Sequence, residues 1–305
     1  MTHYPEGEKE VQHPKVVGPI AIRPELEGLW DHGMPAGDKT GWPSLDRHYT
    51  VMPGQITIVT GWPSSGKSEW LDALLVNLSR QNWRMAIFSP ENQPIALHAA
   101  KLMEKLSGKP FGEGPTERLT REEVVHYANV LSKSFRFMAV ENGAISPASV
   151  LTAAAGYLDG EVPGKRGLVI DPWNELEHWR PVGLSETEYI SKTLSMIRNW
   201  ARQCEVHVWI VAHPQKLRRD DSGKLPIPTP DAISGSAHFW NKADNALTVW
   251  RDLANPDSQN VEIHVQKVRF KNVGRSGIVD LTWDRITGRY HEPIGLRVVY
   301  GEHKE

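Results

Sequence analysis

The sequence predicts an α/β fold with a mainly parallel central sheet and antiparallel strands towards the C-terminus. Three observations carry that prediction. Short apolar, β-branched runs alternate with segments of helical spacing between Gln55 and His213, the pattern of βαβ units. The stretch GWPSSGKSEW, Gly61 to Trp70, joins the first of these strands to the first helix through a turn of small residues. After residue 245 the alternation stops, and NALTVWRD, VEIHVQKVRF and GIVDLTWDRITGRYHE follow as strand-like runs with turns between them.

The elements follow in order. Residues 1–50 are rich in Pro, Gly and charge without a period, and read as an N-terminal arm or linker. Residues 51–295 read as the folded domain and 296–305 as a C-terminal tail. Ile56–Thr60 is a strand, Ser68–Arg80 a helix, Met85–Phe88 a strand, Ile95–Leu106 a helix and Phe135–Val140 a strand. Ser146 and Pro147 suit the cap and first turn of the Ala-rich helix that follows. Leu168–Ile170 is a buried strand ending at Asp171. Ser185 and Glu188 form a capping-box pattern, behind which Ile190, Leu194, Ile197, Ala201 and Cys204 share one helical face. Val206–Val211 is a further strand, leading to His213.

Composition narrows the function. A net charge of −2 over 305 residues excludes a generally basic nucleic-acid coat, though not a strand gripped by local cations inside a channel. The single cysteine, Cys204, excludes a disulfide framework or a Cys-rich zinc ribbon and favours a cytoplasmic location. No run approaches the ~20 apolar residues of a membrane span. The first twenty residues lack the apolar core of a signal peptide. No membrane or targeting signal is therefore expected. The twelve tryptophans suit packing.

Chemistry concentrates in a few places. Gly61, four residues, then Gly66, Lys67 and Ser68 complete the P-loop pattern. From Gly61 through Ser64, Ser65 and Gly66 into Lys67, Ser68 and Glu69, backbone N–H groups can turn inward around phosphates. Lys67 would reach the β/γ oxygens, and Ser68 would bind Mg²⁺. The earlier GWPSLD, Gly41 to Asp46, lacks the Lys-Ser pair and reads as a turn. Asp171 ends a strand, where it is either a metal-holding acid or a turn former. Glu91 in FSPEN ends the strand after the P-loop helix, as a water-orienting base or a solvated loop residue. His213 ends VWIVAH at the carboxyl edge, as a γ-phosphate sensor or a satisfied loop histidine. Strand alternation places Val261, Ile263, Val265, Lys267 and Arg269 on one side. Two cations ending a buried face require an anion, either a carboxylate or a phosphate across a subunit boundary.

From roughly Thr40 to Glu292 the chain resembles the RecA-type motor domain of ring-shaped replicative helicases, the DnaB and Twinkle group with the phage primase–helicases. GWPSLD followed by MPGQITIVTG resembles their lead-in to the P-loop. The resemblance implies a RecA-like P-loop NTPase core using ATP or another NTP or dNTP with Mg²⁺. It makes Glu91 the activator of the attacking water, Asp171 part of the Mg²⁺ shell, and His213 the sensor linked to DNA. QKVRF resembles the segment with the trans-acting arginine finger, here Arg269 beside Lys267. Trp283 falls where the family stacks an aromatic on the base, with Arg251 near that base. Lys216, Arg218, Arg219 and Lys224 lie where the family's DNA-binding loop projects into the channel, although a solvated loop would carry such charges too.

The implied partners are single-stranded DNA, further copies in a hexameric ring, and a separate primase and polymerase. The length leaves no room for a primase before the motor, so the chain reads as a helicase-only unit or a motor cut from a longer protein. The family's linker helix has a short counterpart near Glu25 to His32. The leading expectation is a DNA-stimulated NTPase that translocates on single strands and unwinds duplexes. The alternatives are a RecA-like recombinase or mediator, and a nucleotide-switched loader or scaffold that does not unwind.

Overall fold

The computed structural model describes residues 15–140, 143–158, 164–215, 225–233, 237–255 and 257–293. The chain divides into two compact units, Met1–Pro35 and Ala36–Glu305. In the first, a 3₁₀ turn at Pro19–Ile22 leads into helix α1, Arg23–His32. Pro24 sits in its first turn, where a missing N–H costs nothing, and Arg23 pairs with Glu27 one turn on. Leu26, Leu29 and Trp30 share one side of α1, and all three are exposed.

The second unit starts earlier than its composition suggests. A short helix, α2 (Pro43–Asp46), is flanked by Trp42 and Tyr49, and these two bury themselves with Leu45 in the core. Trp42 donates its indole N–H to the carbonyl of Tyr290, and Thr40 is tied to Asp46 through backbone and hydroxyl. Residues 36–50 are thus folded domain and not an arm. The density of Pro and Gly there reflects tight turns between packed aromatic residues.

The remaining elements are β1 (Ile56–Thr60), α3 (Lys67–Ser79), β2 (Trp83–Phe88), α4 (Ile95–Ser107), α5 (Arg121–Ser134), β3 (Phe135–Phe137), α6 (Pro147–Leu158) and β4 (Lys165–Ile170). They continue with α7 (Glu186–Gln203), β5 (Val206–Val211), α8 (Ala237–Lys242), β6 (Asn245–Trp250), β7 (Asn260–Val268), β8 (Gly277–Trp283) and β9 (Tyr290–His291). The described strands form one sheet in the order β3-β2-β4-β5-β1-β6-β7-β8-β9. Pairings from β3 to β6 are parallel, and those from β6 to β9 are antiparallel. This is the expected α/β architecture, with β1 near the middle of the sheet.

The sheet is covered on both faces. Ile56 and Ile58 point into a layer built with α6, α7 and α8, while Val59 points into the layer of α3, α4 and α5. Such two-sided burial explains why β1 reads as an unbroken apolar run. Helix α7 opens with the capping box of Ser185 and Glu188, as its sequence predicts. Helix α5, which the sequence pattern did not reveal, has the same device at Thr120 and Glu123. Its single buried residue, Leu131, leaves no apolar stripe to detect.

Strand β7 departs from simple alternation. Val261, Ile263 and Val265 face the core as expected, but Leu247 pairs with Val265 and the adjacent Ala246 pairs with Lys267. Gln266 is therefore an extra residue, a β-bulge. Beyond it Val268 packs on the α3 side. Lys267 and Arg269 turn instead to carbonyls at the end of α8. The five residues do not share one face, because the bulge resets the alternation before the two cations.

Candidate active site

The loop from Gly61 to Gly66 connects the carboxyl end of β1 to α3. Two of its positions need glycine. A Cβ on Gly61 would come 2.3 Å from the carbonyl oxygen of Val249 and 2.7 Å from Ser65 Oγ, and Gly66 has φ +90°. Helix α3 begins without a side-chain cap, so its first N–H groups are open to an anion. Ser65 Oγ is buried without a hydrogen-bond partner among the described residues. Lys67 folds back over the loop and donates to the carbonyls of Gly61 and Trp62, each at 3.0 Å. Close backbone approach, uncapped donors and a buried lysine fit a polyphosphate.

Electrostatics link the loop to the neighbouring strand ends. Asp171 follows β4, is 4% exposed and is hydrogen-bonded to the side chain of Ser68. Burial pushes its carboxyl up to about 6, against the Ser68 hydrogen bond, with Asp72 and Glu91 adding to the rise. Burial pushes the Lys67 ammonium down to about 8, against the attraction of Asp171 and Glu91. Each group lacks a full counter-charge, which nucleotide phosphates and a cation would supply together. Among the described residues no cluster of three or more His, Cys, Asp or Glu side chains could hold a metal. The pair Ser68 and Asp171 nonetheless suits Mg²⁺, which takes few protein ligands and completes its shell with phosphate and water.

An open cleft of about 500 Å³ lies above the loop, lined by Ser64, Gly66, Lys67, Ser68, Glu69, Glu91, Lys101 and His213 among others. Glu91 reaches in from the loop after β2, with its Oε1 3.5 Å from His213 Nε2. The backbone N–H of His213 donates to Asn174 at 3.0 Å. Burial holds the imidazole below its ordinary pKa, and the nearby Lys67 charge acts in the same direction. Its Nδ1 is buried without a partner among the described residues. Two of the candidate residues thus meet each other as well as the loop.

Lys101 was not anticipated. It donates to Asn92 Oδ1 at 3.2 Å and lies 4.0 Å from Glu69. It belongs to a face of α4 turned towards α3, where His98 meets Asp72 at 2.9 Å and Lys105 pairs with Glu69. The spacing of His98, Lys101 and Lys105 was the available signal, but cations at such spacing usually mark a solvated face.

Other candidates separate by position. Arg251 reaches the loop, donating to Ser64 O at 3.4 Å, and its guanidinium lies 5.4 Å from the Trp283 ring centroid. Trp283 and Arg251 are therefore together beside the loop, with the arginine in contact with it. Lys267 and Arg269 are elsewhere. The backbone N–H of Arg269 donates to Asp244 O, and the backbone N–H of Asp244 donates to Ile56 O at the start of β1. Both cations lie at the amino edge of the parallel sheet, across from the P-loop. Lys216, Arg218, Arg219 and Lys224 fall outside the described residues. The flanks of that segment are joined, since Pro214 bridges Ile233 and Gln215 N–H donates to Ala232 O at 2.7 Å.

Comparison with known proteins bears on the fold and the family. The chain is 41% identical over 279 residues to the Twinkle homolog protein, chloroplastic/mitochondrial, of Arabidopsis thaliana. That alignment covers 88% of this chain and 38% of the relative, so the chain spans well under half of the relative's length. The fold is similar to a separately solved ATPase domain, with TM-score 0.74 and 17% identity, covering 89% of this chain and 98% of that one. It is also similar to a DnaB-like replicative helicase solved for its interactions with primase, with TM-score 0.72 and 18% identity over 92% and 68% of the two chains. Residues 37–292 match the DnaB-like helicase C terminal domain, and the chain belongs to that family.

Proposed function

We propose that the chain is the motor of a replicative DNA helicase. It assembles as a ring, hydrolyses ATP or another NTP with Mg²⁺ at subunit boundaries, translocates on single-stranded DNA and separates duplexes. The observation that carries this reading is the position of Arg269. It lies across the sheet from its own P-loop, so a role on phosphate requires a second copy. The motor spans residues 36 to about 293, and α1 supplies an exposed apolar side, Leu26, Leu29 and Trp30, for docking on the neighbour.

Each residue has a stated task. The N–H groups of the loop and the Lys67 ammonium hold the phosphates, and Arg251 with Trp283 flanks the base. Ser68 and Asp171 hold Mg²⁺, which when bound neutralises phosphate charge. Glu91 orients the attacking water and accepts its proton. His213 restrains Glu91 and reports the γ-phosphate to the Pro214–Ile233 bridge, beyond which Lys216, Arg218, Arg219 and Lys224 contact DNA. Arg269 of the neighbouring copy, with Lys267, stabilises charge in the transition state. A separate primase and polymerase complete the apparatus. The test is strand displacement on a forked duplex with ATP and Mg²⁺. Unwinding by the wild type that disappears in Lys67→Ala supports the reading, and DNA-stimulated hydrolysis without strand separation contradicts it.

A further inference from the structure

Arg269 is held by more contacts than a strand-end arginine needs. Its Nε lies 3.1 Å from Asp244 Oδ1, and its Nη2 donates to the carbonyls of Asn241 at 3.0 Å and Ala243 at 3.1 Å. Its Nη1 has no hydrogen-bond partner among the described residues. Nε and Nη2 are thus engaged, while the side chain as a whole keeps 28% exposure.

The anchor is itself fixed. The side chain of Asp244 is 1% exposed, and its Oδ2 accepts the N–H of Ile56 at 3.1 Å. Arg198 and Arg202 of α7 approach the same Oδ1 at 3.3 and 3.8 Å. Lys267 is tied to the same turn of α8, donating to Trp240 O and lying 5.6 Å from the Trp240 ring centroid. One carboxylate thus serves three guanidiniums. The cluster keeps a surplus of positive charge, which suits an incoming anion.

We propose that Asp244, with the last turn of α8, is the positioning residue for Arg269. It locks the guanidinium in the orientation that enters the neighbouring copy's nucleotide site. The proposal rests on the trans role of Arg269 stated above. A rigid donor needs no reorganisation when charge develops, and a shift of about 1 Å in such a group costs on the order of 10²-fold in rate.

Subunit mixing tests it. Arg269→Ala chains keep an intact P-loop and act as acceptors, while Lys67→Ala chains have a silent site and act as donors of Arg269. Mixing the two should restore DNA-stimulated hydrolysis. If it does not, the trans reading itself fails. With restoration established, the donor Lys67→Ala/Asp244→Asn should restore about 10²-fold less. Asp244→Asn alone, used as an acceptor for Lys67→Ala donors, should hydrolyse normally with unchanged KM. That asymmetry is not expected of a merely structural residue. Should Asp244→Asn fail to fold, Asp244→Glu keeps the charge among the three guanidiniums and moves the anchor by one methylene, with the same donor-only defect expected. Equal or faster restoration by the Asp244-substituted donor overturns the proposal, as does an equal loss in both roles.

Discussion

Burial moves Lys67 and Asp171 in opposite directions from their ordinary pKa values, and nucleotide phosphates with a cation would supply both with counter-charge in the cleft above them. Lys67, Ser68 and Asp171 were legible because glycine spacing and a strand-ending acid are local signals. Arg269 was legible as a residue but not in its direction, since the bulge at Gln266 leaves no mark in the sequence. Replacing Arg269 by Ala should leave nucleotide binding nearly unchanged and slow hydrolysis about 10³–10⁵-fold, measured as Kd for a nucleotide analogue beside kcat. A second residue-scale prediction concerns His207. It is fully buried, bonded to Met52 O and Thr57, and burial pushes its pKa down to about 4. The unfolded chain therefore binds a proton that the folded chain refuses between pH 6.5 and 4. Stability is full above pH 6.5 and falls by roughly 3 kcal/mol as pH drops through that window. In denaturant titrations His207→Gln should flatten this pH dependence, while an unchanged slope would move the acid sensitivity elsewhere.

At the scale of elements, the apolar strands were readable because burial on both faces makes them continuous runs. What composition concealed was the opposite case, polar segments whose few buried residues matter. Trp42, Leu45 and Tyr49 sit among prolines and glycines, and α5 buries only Leu131. The capping box of α7 needs only two residues and was plain. Ser185→Ala removes its hydrogen bonds to Glu188 and should cost about 1 kcal/mol, read from the denaturation midpoint with activity per folded molecule retained. Helix α1 is the complementary case, with an apolar side and no buried residue. Substituting Leu26 and Trp30 together by Glu should weaken self-association at least tenfold in sedimentation experiments and leave the thermal unfolding of the P-loop unit in place. Unchanged association would remove α1 from the assembly.

For the whole molecule, the sheet carries the P-loop at its carboxyl edge and the Arg269 cluster at its amino edge, and the proposed function makes these two halves of different sites. On the proposed reading this geometry ties hydrolysis to assembly. Family membership was legible from motifs spread over most of the chain, whereas the opposition of the two edges required the strand order β1-β6-β7. The most direct measurement is the specific ATPase activity of the purified chain across a range of protein concentrations, with and without single-stranded DNA. The account predicts activity per chain that rises with concentration and rises further with DNA. A rate that is flat in concentration and indifferent to DNA would contradict sites shared between copies.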